Sequence, residues 1–488
     1  MSTAAPVPQV IELTAVARRR GQYLYRQFSV PVGVNRISVK LKKKGMGQVG
    51  VGLFDERGCD YQSPGFRGVL GQESREFFIS ADRATPGFRP GAIHPGTWTV
   101  MIPVFRAWTA MRLTVTLTLA FGPEPNETLP GPEQSVVSPA PGWYKGDMHC
   151  HTTHSSDAHH SGSSLTPGEW AAKAQEIGLH WVSLTDHNVT SQNWQLQQDA
   201  AETGVLLLAG EEMTNWFHGH ATVTGLSPGD WIDFRQLPVR MPLGKGAGRI
   251  RDCIMKARSC GAYISAAHPL RLLVEWRFWD EAKADPEARP DGLEVWTGRF
   301  QYDNWESLKL WDRCLCRGWK VWANGGSDIH GMHNEEGFAP GQPTTVVYAE
   351  SLSKAGILAA LRQGRSYVAR SPEGPELYLT ARGPGGQDEM MGGTVYGAAD
   401  DQVEVSMRAV GGAGKQLVLI RDGKVVMTAA ITSNDQTVSV TQMVGGGGYV
   451  RAELRGKGQA SLLRIWAYRL GMEALTNPIF LVQRDGLS

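Results

Sequence analysis

The sequence predicts a multidomain chain of α/β plus all-β class. A central barrel or parallel sheet, in which strands alternate with helices, is flanked by an N-terminal β-sandwich and a smaller C-terminal β-sandwich. Three observations predict it. The chain has 488 residues, enough for about two to four domains of roughly 100–200 residues. Apolar and polar residues alternate with a period of two at both ends, whereas the middle alternates short apolar runs with helical stretches. Of 13 histidines only His94 lies outside residues 149–333, so the middle third differs chemically from its flanks.

In chain order, Phe28–Val32, Ile37–Leu41 and Val49–Leu53 read as strands. Met111, Leu113, Val115, Leu117 and Leu119 alternate with Arg112, Thr114, Thr116 and Thr118, the two faces of a half-buried strand. Residues 1–122 are therefore assigned to the N-terminal β-sandwich. The Pro- and Gly-rich stretch FGPEPNETLPGPEQSVVSPAPG places a linker at 123–140. Within 141–371, TPGEWAAKAQEIG carries Thr166, Pro167 and Glu169 as N-cap, N1 proline and N3 acid. GRIRDCIMKARSCG, WESLKLWDRCLCRG and SLSKAGILAALRQG are further helices, each ending at glycine. Their alternation with apolar runs argues for a parallel sheet or barrel. In 372–488 the strand pattern returns at Val403–Met407, Leu417–Ile420, Val438–Val440 and Val450–Leu454, with Asp422–Gly423 in RDGK as a tight hairpin turn.

Lys+Arg total 49 against 48 Asp+Glu, a formal charge of +1, so no overall field recruits nucleic acid or anionic lipid. The one tight basic run, Lys40, Lys42, Lys43 and Lys44, lacks interleaved aromatic residues and reads as a solvated hairpin end. Nucleic acid is not an expected partner. The six cysteines (Cys59, Cys150, Cys253, Cys260, Cys314, Cys316) show no C-x-x-C spacing, the pattern of a reduced, cytoplasmic chain. No signal peptide is expected, and no run of roughly 18 apolar residues suggests a membrane span.

Candidate metal ligands gather at predicted strand ends. WYKGDMHCH finishes with His149 and His151, two apart and so on one side of a strand. WVSLTDH ends at Asp186 and His187, VLLLAGEE at Glu211 and Glu212, AYISAAHP at His268, and VWANGGSDIH at Asp328 and His330. HGHATVTG begins with His218 and His220, so His220 starts its strand where the others end theirs. In parallel α/β folds ligands bind beyond the carboxyl ends of strands. Spacing alone leaves Glu211 against Glu212, His218 against His220, and His330 against His333 open, because one register exposes only one of each pair. His154, His159 and His160 are loop residues or further ligands. The isolated His94 and His180 are read as ordinary surface or core residues.

The ordered run GDMHCHTTHSSD, SLTDHN, GEE, GHATVTG, AHP and GGSDIH resembles the PHP (polymerase and histidinol phosphatase) superfamily, and especially its CehA/McbA-like metallohydrolase branch, over about 140–370. ALTNPIFL near the C-terminus adds a weaker likeness to the branch. The resemblance implies a distorted β/α (PHP-type) barrel holding two or three divalent ions. One ion would take His149, His151, Glu212 and Asp328. Glu212 would bridge to a second held by His220 and His268, and Asp157, His187 and His330 would hold a third. The resemblance thus favours Glu212, His220 and His330 within the open pairs. Asp157 stands where some members have histidine.

Nitrogen and oxygen donors without thiolate suit zinc, manganese or iron. Such ions activate water and polarise the group under attack, so hydrolysis is the expected reaction. The resemblance implies a phosphoester as substrate, with His187, Asp328, His330 and Arg271 as candidate catalytic residues. Arg271, and as a second candidate Arg299, are placed to meet an anionic oxygen. Glu294 supports a ligand or only packs. Trp216, Trp276 and Trp296 wall an apolar pocket suited to an aryl ester or carbamate, or belong to the core, the commoner fate of tryptophan. The contrasting expectation, from another class, is a metal-containing binding or scaffold protein without turnover.

Overall fold

The computed structural model describes residues 7–71, 75–123, 125–127, 129, 136–157, 164–194, 196, 203–215, 218–236, 247–332, 339–456 and 471–484. Strands predominate and helices are few. The first nine strands are β1 (Gln9–Ala17), β2 (Gln22–Val30), β3 (Val34–Lys44), β4 (Gly47–Val49), β5 (Val51–Phe54), β6 (Phe66–Leu70), β7 (Glu76–Ser80), β8 (Gly96–Ala107) and β9 (Met111–Phe121). They form two sheets, β1-β9-β3-β7 and β2-β8-β5-β6, the latter with β4 on β8. The alternation read in the sequence is the physical one. On β9 Met111, Leu113, Val115, Leu117 and Leu119 are buried, and with Val100 and Ile102 of β8 they share one apolar core between the sheets.

The next nine strands are β10 (Gly142–Cys150), β11 (Trp181–Leu184), β12 (Leu206–Asn215), β13 (Gly219–Thr224), β14 (Tyr263–Ala267), β15 (Gly292–Thr297), β16 (Trp322–Gly326), β17 (Thr344–Ala349) and β18 (Ser366–Ala369). The four expected helices lie at Pro167–Glu176, Ala247–Ser259, Tyr302–Leu315 and Lys354–Gln363, with a short fifth at Trp279–Ala284. Thr166 and Glu169 close a reciprocal capping box at the first of them. Gly364, at φ 67°, ends the helix Lys354–Gln363 in the left-handed region that favours glycine.

The expected parallel arrangement needs correction. β10, β11 and β12 are parallel, as are β14, β15 and β16, but β13 runs antiparallel to both β12 and β14. β17 and β18 are antiparallel as well. The reversal at β13 explains His220: it begins its strand at the edge where β12 and β14 end, since His220 pairs with Thr214 and Ala267. Among the described residues, strand pairing leaves the expected barrel unclosed. β16 ends the hydrogen-bonded order, and the segment just after it meets β10 through the bridge of Ile329 with Cys150, the Asp328 N–H bond to the His149 carbonyl at 2.7 Å and the Ser327 N–H bond to Asp147 at 3.0 Å.

The last ten strands are β19 (Glu376–Arg382), β20 (Asp388–Met390), β21 (Thr394–Gly397), β22 (Gln402–Val410), β23 (Gln416–Arg421), β24 (Lys424–Ala430), β25 (Asp435–Met443), β26 (Gly448–Arg455), β27 (Met472–Thr476) and β28 (Ile479–Gln483). β23 and β24 meet at Asp422 and Gly423, both at positive φ, in the two-residue hairpin that RDGK signals. Sheet hydrogen bonding does not stop at residue 371: β27 pairs with β18, joining this unit to the central sheet. The N-terminal unit is joined by packing instead. Phe54, Phe66, Val69 and Met101 belong to the central core, and Phe66 stacks on Trp231 with ring centroids 4.1 Å apart.

All six cysteines are free thiols. No helix among the described residues is long and apolar enough to cross a membrane.

Candidate metal centre

The carboxyl ends of β10, β11, β12, β14 and β16, with the start of β13 and the loops that follow, bring nine side chains together. They are His149, His151, Asp157, His187, Glu212, His220, His268, Asp328 and His330, and they form overlapping groups whose donor atoms lie within 4.8 Å of one another. His149, His151, Glu212, His220 and His268 are buried, and His330 is the most open, its side chain 30% exposed.

Glu212 is the hub. Its carboxylate lies 3.4 Å from Nε2 of both His149 and His151, 2.7 Å from Nδ1 of His187 and of His220, and 3.1 Å from Nε2 of His268. Asp328 Oδ1 stands 3.4 Å from the same two Nε2 atoms of His149 and His151. Asp157 Oδ2 lies 3.3 Å from His187 Nε2 and 2.9 Å from His330 Nε2. Two of these residues occupy strained backbone: His268 at φ 27° and Asp328 at φ 53°, positions where a side chain other than glycine costs about 1–3 kcal/mol and where functional sites concentrate.

This donor set fits divalent ions on two counts. The buried atoms His149 Nε2, His151 Nε2 and Glu212 Oε2 make no hydrogen bond, a desolvation cost of roughly 1–3 kcal/mol each that a shared cation offsets. The four separations of 3.4 Å linking His149 and His151 to Glu212 and Asp328 are the spacing of neighbouring donors around a common cation, about 3.4 Å for ligands at about 2.1 Å.

The surrounding residues aim the donors. Glu294 on β15 accepts from His149 Nδ1 at 3.1 Å and from the His268 backbone N–H at 2.7 Å, leaving His149 Nε2 toward the cluster. Its support of the site, left open by the sequence, is thereby placed. Asp186 is turned away: it accepts from Thr152 N–H at 2.6 Å and the Thr152 hydroxyl at 2.7 Å, tying down the loop that leads to Asp157. Ser155 donates to Asp157 Oδ1 at 2.7 Å and accepts the His187 N–H at 3.3 Å. Arg271 donates to Asp328 Oδ2 at 2.5 Å and stays 36% exposed.

Two of the three open pairs separate in the structure. Glu211 points to the other side of β12, accepting the Ile232 N–H at 2.7 Å, while Glu212 enters the cluster. His218 bonds Asn215 at 3.1 Å and stacks on Phe278, outside the cluster that holds His220. His154 bonds Ser191 at 2.8 Å and His180 bonds the Lys145 N–H at 2.9 Å, neither joining the donors. Arg299 is half-buried and takes no part in the cluster's ion pairs. Trp276 and Trp296 are buried to 1% exposure within the core, so they take the packing alternative and wall no open pocket. Trp216, His159, His160 and His333 lie outside the described residues.

Burial and neighbouring charge divide the histidines. Burial opposes charge on His149, yet Glu294, Glu212 and Asp328 outweigh it and hold its pKa well above the usual value. His187 is raised likewise, burial being outweighed by Glu212 and Asp157, and His330 is raised against burial by Asp157. Burial lowers His151 to about 3, helped by the charge of His330, and lowers His220 to about 4 despite Glu212. In the metal-free protein His149, His187 and His330 are therefore the histidines that hold their protons more tightly. Ions must displace them, so uptake releases protons and affinity falls as pH drops. The expected result is release of more than one proton per chain on zinc titration near pH 7, read by calorimetry in buffers of different ionisation enthalpy. Retention in equilibrium dialysis should fall below about pH 6; occupancy unchanged at pH 5 would contradict a histidine-rich site.

No family model and no curated protein matches this chain. Among solved structures it is similar to a two-domain protein from Bacteroides vulgatus containing a predicted PHP-like metal-dependent phosphoesterase, at 20% identity over 68% of this chain and 95% of that one, with a TM-score of 0.38. It is similar to a protein from Bifidobacterium adolescentis described as a metal-dependent phosphoesterase, at 20% identity over 38% of this chain and 87% of that one, TM-score 0.28. An amidohydrolase from Chromobacterium violaceum, solved with sulfate and no metal, matches at 19% identity over 38% of this chain and 87% of that one, TM-score 0.29.

Proposed function

We propose that this protein is a metal-dependent hydrolase, first of all a phosphoesterase, working at a two- or three-ion centre of the PHP type with CehA/McbA-like motifs. The observation that carries the proposal is Glu212, one buried carboxylate within 3.4 Å of ring nitrogens of five histidines. His149, His151, Glu212 and Asp328 hold one ion, Glu212, His220 and His268 a second, and Asp157, His187 and His330 a third. Zinc, manganese and iron all suit nitrogen and oxygen donors. Divalent ions in such a set supply a hydroxide nucleophile at neutral pH and a Lewis acid for the oxygen under attack.

The rest falls to the chain's own residues. Glu294 orients His149, and Ser155 and Asp186 hold the loop of Asp157. His187, Asp328 and His330, with Arg271, form the side that meets substrate. Arg271 is anchored on Asp328 yet part exposed, leaving guanidinium donors for an anionic oxygen. Three divalent ions would outweigh the four carboxylates Asp157, Glu212, Glu294 and Asp328, so a fully loaded site would be net positive. That favours a phosphoester anion over a neutral ester.

One observation favours a second reading, an aryl ester or carbamate substrate. Leu272 and Leu273, next in sequence to Arg271, are 74% and 75% exposed. Leu273 sits at φ 74° in the turn closed by the Val274 N–H on the Arg271 carbonyl. That position favours glycine, and burial does not explain the leucine. An apolar group on the substrate would.

A metal-supplemented screen with p-nitrophenyl phosphate, bis-p-nitrophenyl phosphate and 1-naphthyl carbamate tests both readings. Turnover of the phosphates supports the first, and turnover of the carbamate alone moves the second to the front. Leu273→Gly should relieve backbone strain and lower kcat/KM for 1-naphthyl phosphate about tenfold, about 1.4 kcal/mol, while that for glycerol phosphate changes less than about twofold. Equal effects on both would sink the apolar contact. Metal bound without turnover of any ester would favour the scaffold alternative. A small-molecule substrate and a cytoplasmic setting, where six free thiols persist, complete the proposal.

A further inference from the structure

Among the described residues, the N-terminal unit reaches the loop Thr152–Asp157 beside the candidate metal centre. Gly71, just after β6, approaches it so closely that a Cβ there would lie 2.7 Å from the Ser156 carbonyl oxygen and 3.2 Å from Ser156 Cβ. The Gly87 N–H donates to Ser191 Oγ at 3.2 Å, and the same hydroxyl bonds His154 Nδ1 at 2.8 Å. Ser156 is flanked by the two residues that matter most to the third ion. Ser155 bonds both Asp157 and the His187 backbone, and Asp157 lies against His187 and His330. A displacement of Ser156 therefore moves Asp157 relative to both histidines.

We infer that the N-terminal β unit is a positioning element of the metal centre: through Gly71 and the Gly87–Ser191–His154 contact it sets the loop of Asp157, and with it the occupancy of the Asp157, His187 and His330 donors. The inference rests on the proposed reading that those donors hold an ion. Misplaced supporting residues at metal sites typically cost about 10–100-fold in affinity. Gly71 lies outside the left-handed region, so substitution there introduces a steric wedge without backbone strain.

The full chain is loaded with zinc, desalted, and its ions per chain counted by elemental analysis, with melting curves alongside, for wild type, Asp157→Asn, Gly71→Ala and Gly71→Val. Wild type should hold one ion more than Asp157→Asn. Gly71→Val should fall to the Asp157→Asn count while keeping the remaining ions, and Gly71→Ala should bind the lost ion about tenfold more weakly. Gly71→Val with the wild-type count and affinity would overturn the inference. If the valine variant does not fold, Gly71→Ala decides by the same criterion. Equal counts for wild type and Asp157→Asn would instead overturn the assignment of that ion, and this inference with it.

Discussion

Replacing His149 and His151 together by alanine is expected to abolish metal retention at the site they share with Glu212 and Asp328, and to lower kcat/KM at least about 10³-fold, some 4 kcal/mol of transition-state stabilisation. Both imidazoles present an Nε2 with no hydrogen bond, 3.4 Å from each of the two carboxylates. Alanine removes half of that donor set, the two imidazoles that stand between Glu212 and Asp328. His149 is buried between Glu294 and Glu212, so the variant also frees Glu294, which keeps only the His268 N–H. The check is elemental analysis beside steady-state kinetics on p-nitrophenyl phosphate. Unchanged metal content and turnover would show that the His-x-His pair is no ligand.

Glu212→Gln is expected to have a comparably large effect with a different signature. The amide keeps the volume and loses the charge that five histidines surround. Removing one partner of a buried ion pair typically costs about 3–5 kcal/mol. Burial opposes ionisation of Glu212, but His187, His220 and His149 outweigh it and hold the carboxyl well below the usual range. That contribution is present above the unfolded carboxylate pKa of about 4.3 and is lost as pH falls through the folded value. His149 and His187 are shifted upward, so theirs is complete below the unfolded histidine pKa of about 6.5 and is lost as pH rises through the raised values. His151 and His220, lowered by burial, lose their contribution as pH falls below about 6.5, so metal-free wild type should melt highest near about pH 6.5. Glu212→Gln should lose that maximum, and in metal-loaded samples should lose ions. A variant with the wild-type pH profile and full metal content would remove Glu212 from the centre of the site.

Part of this arrangement is legible in the sequence, because a strand's period of two puts His149 with His151 on one side just where β10 ends, whereas Asp328, beyond β16 and at φ 53°, is placed by its loop. The β-rich flanks show themselves for the same reason, since β9 and β22 each have one buried and one open face. What is not legible has a common cause. β12, β13, β14, β15 and β16 are buried on both faces, so apolar patterning carries neither their direction nor their register. Hence the antiparallel β13 is unexpected, Glu211 and Glu212 are indistinguishable by spacing, and Glu294 cannot be told from a packing residue until β15 is seen beside β14. The pairing of β27 with β18 joins residues about a hundred positions apart, which no local pattern encodes. Trp276 and Trp296 show the converse: nearness in sequence to a ligand did not make them part of its pocket.

The measurement that bears most directly on the metal centre is elemental analysis of the purified full-length chain after loading and desalting, paired with hydrolysis of p-nitrophenyl phosphate before and after chelation. Two or three divalent ions per chain, with turnover that chelation removes and metal restores, is the predicted result. A chain that retains no ion at pH 7.5, or hydrolyses the ester equally well after its ions are stripped, would contradict it.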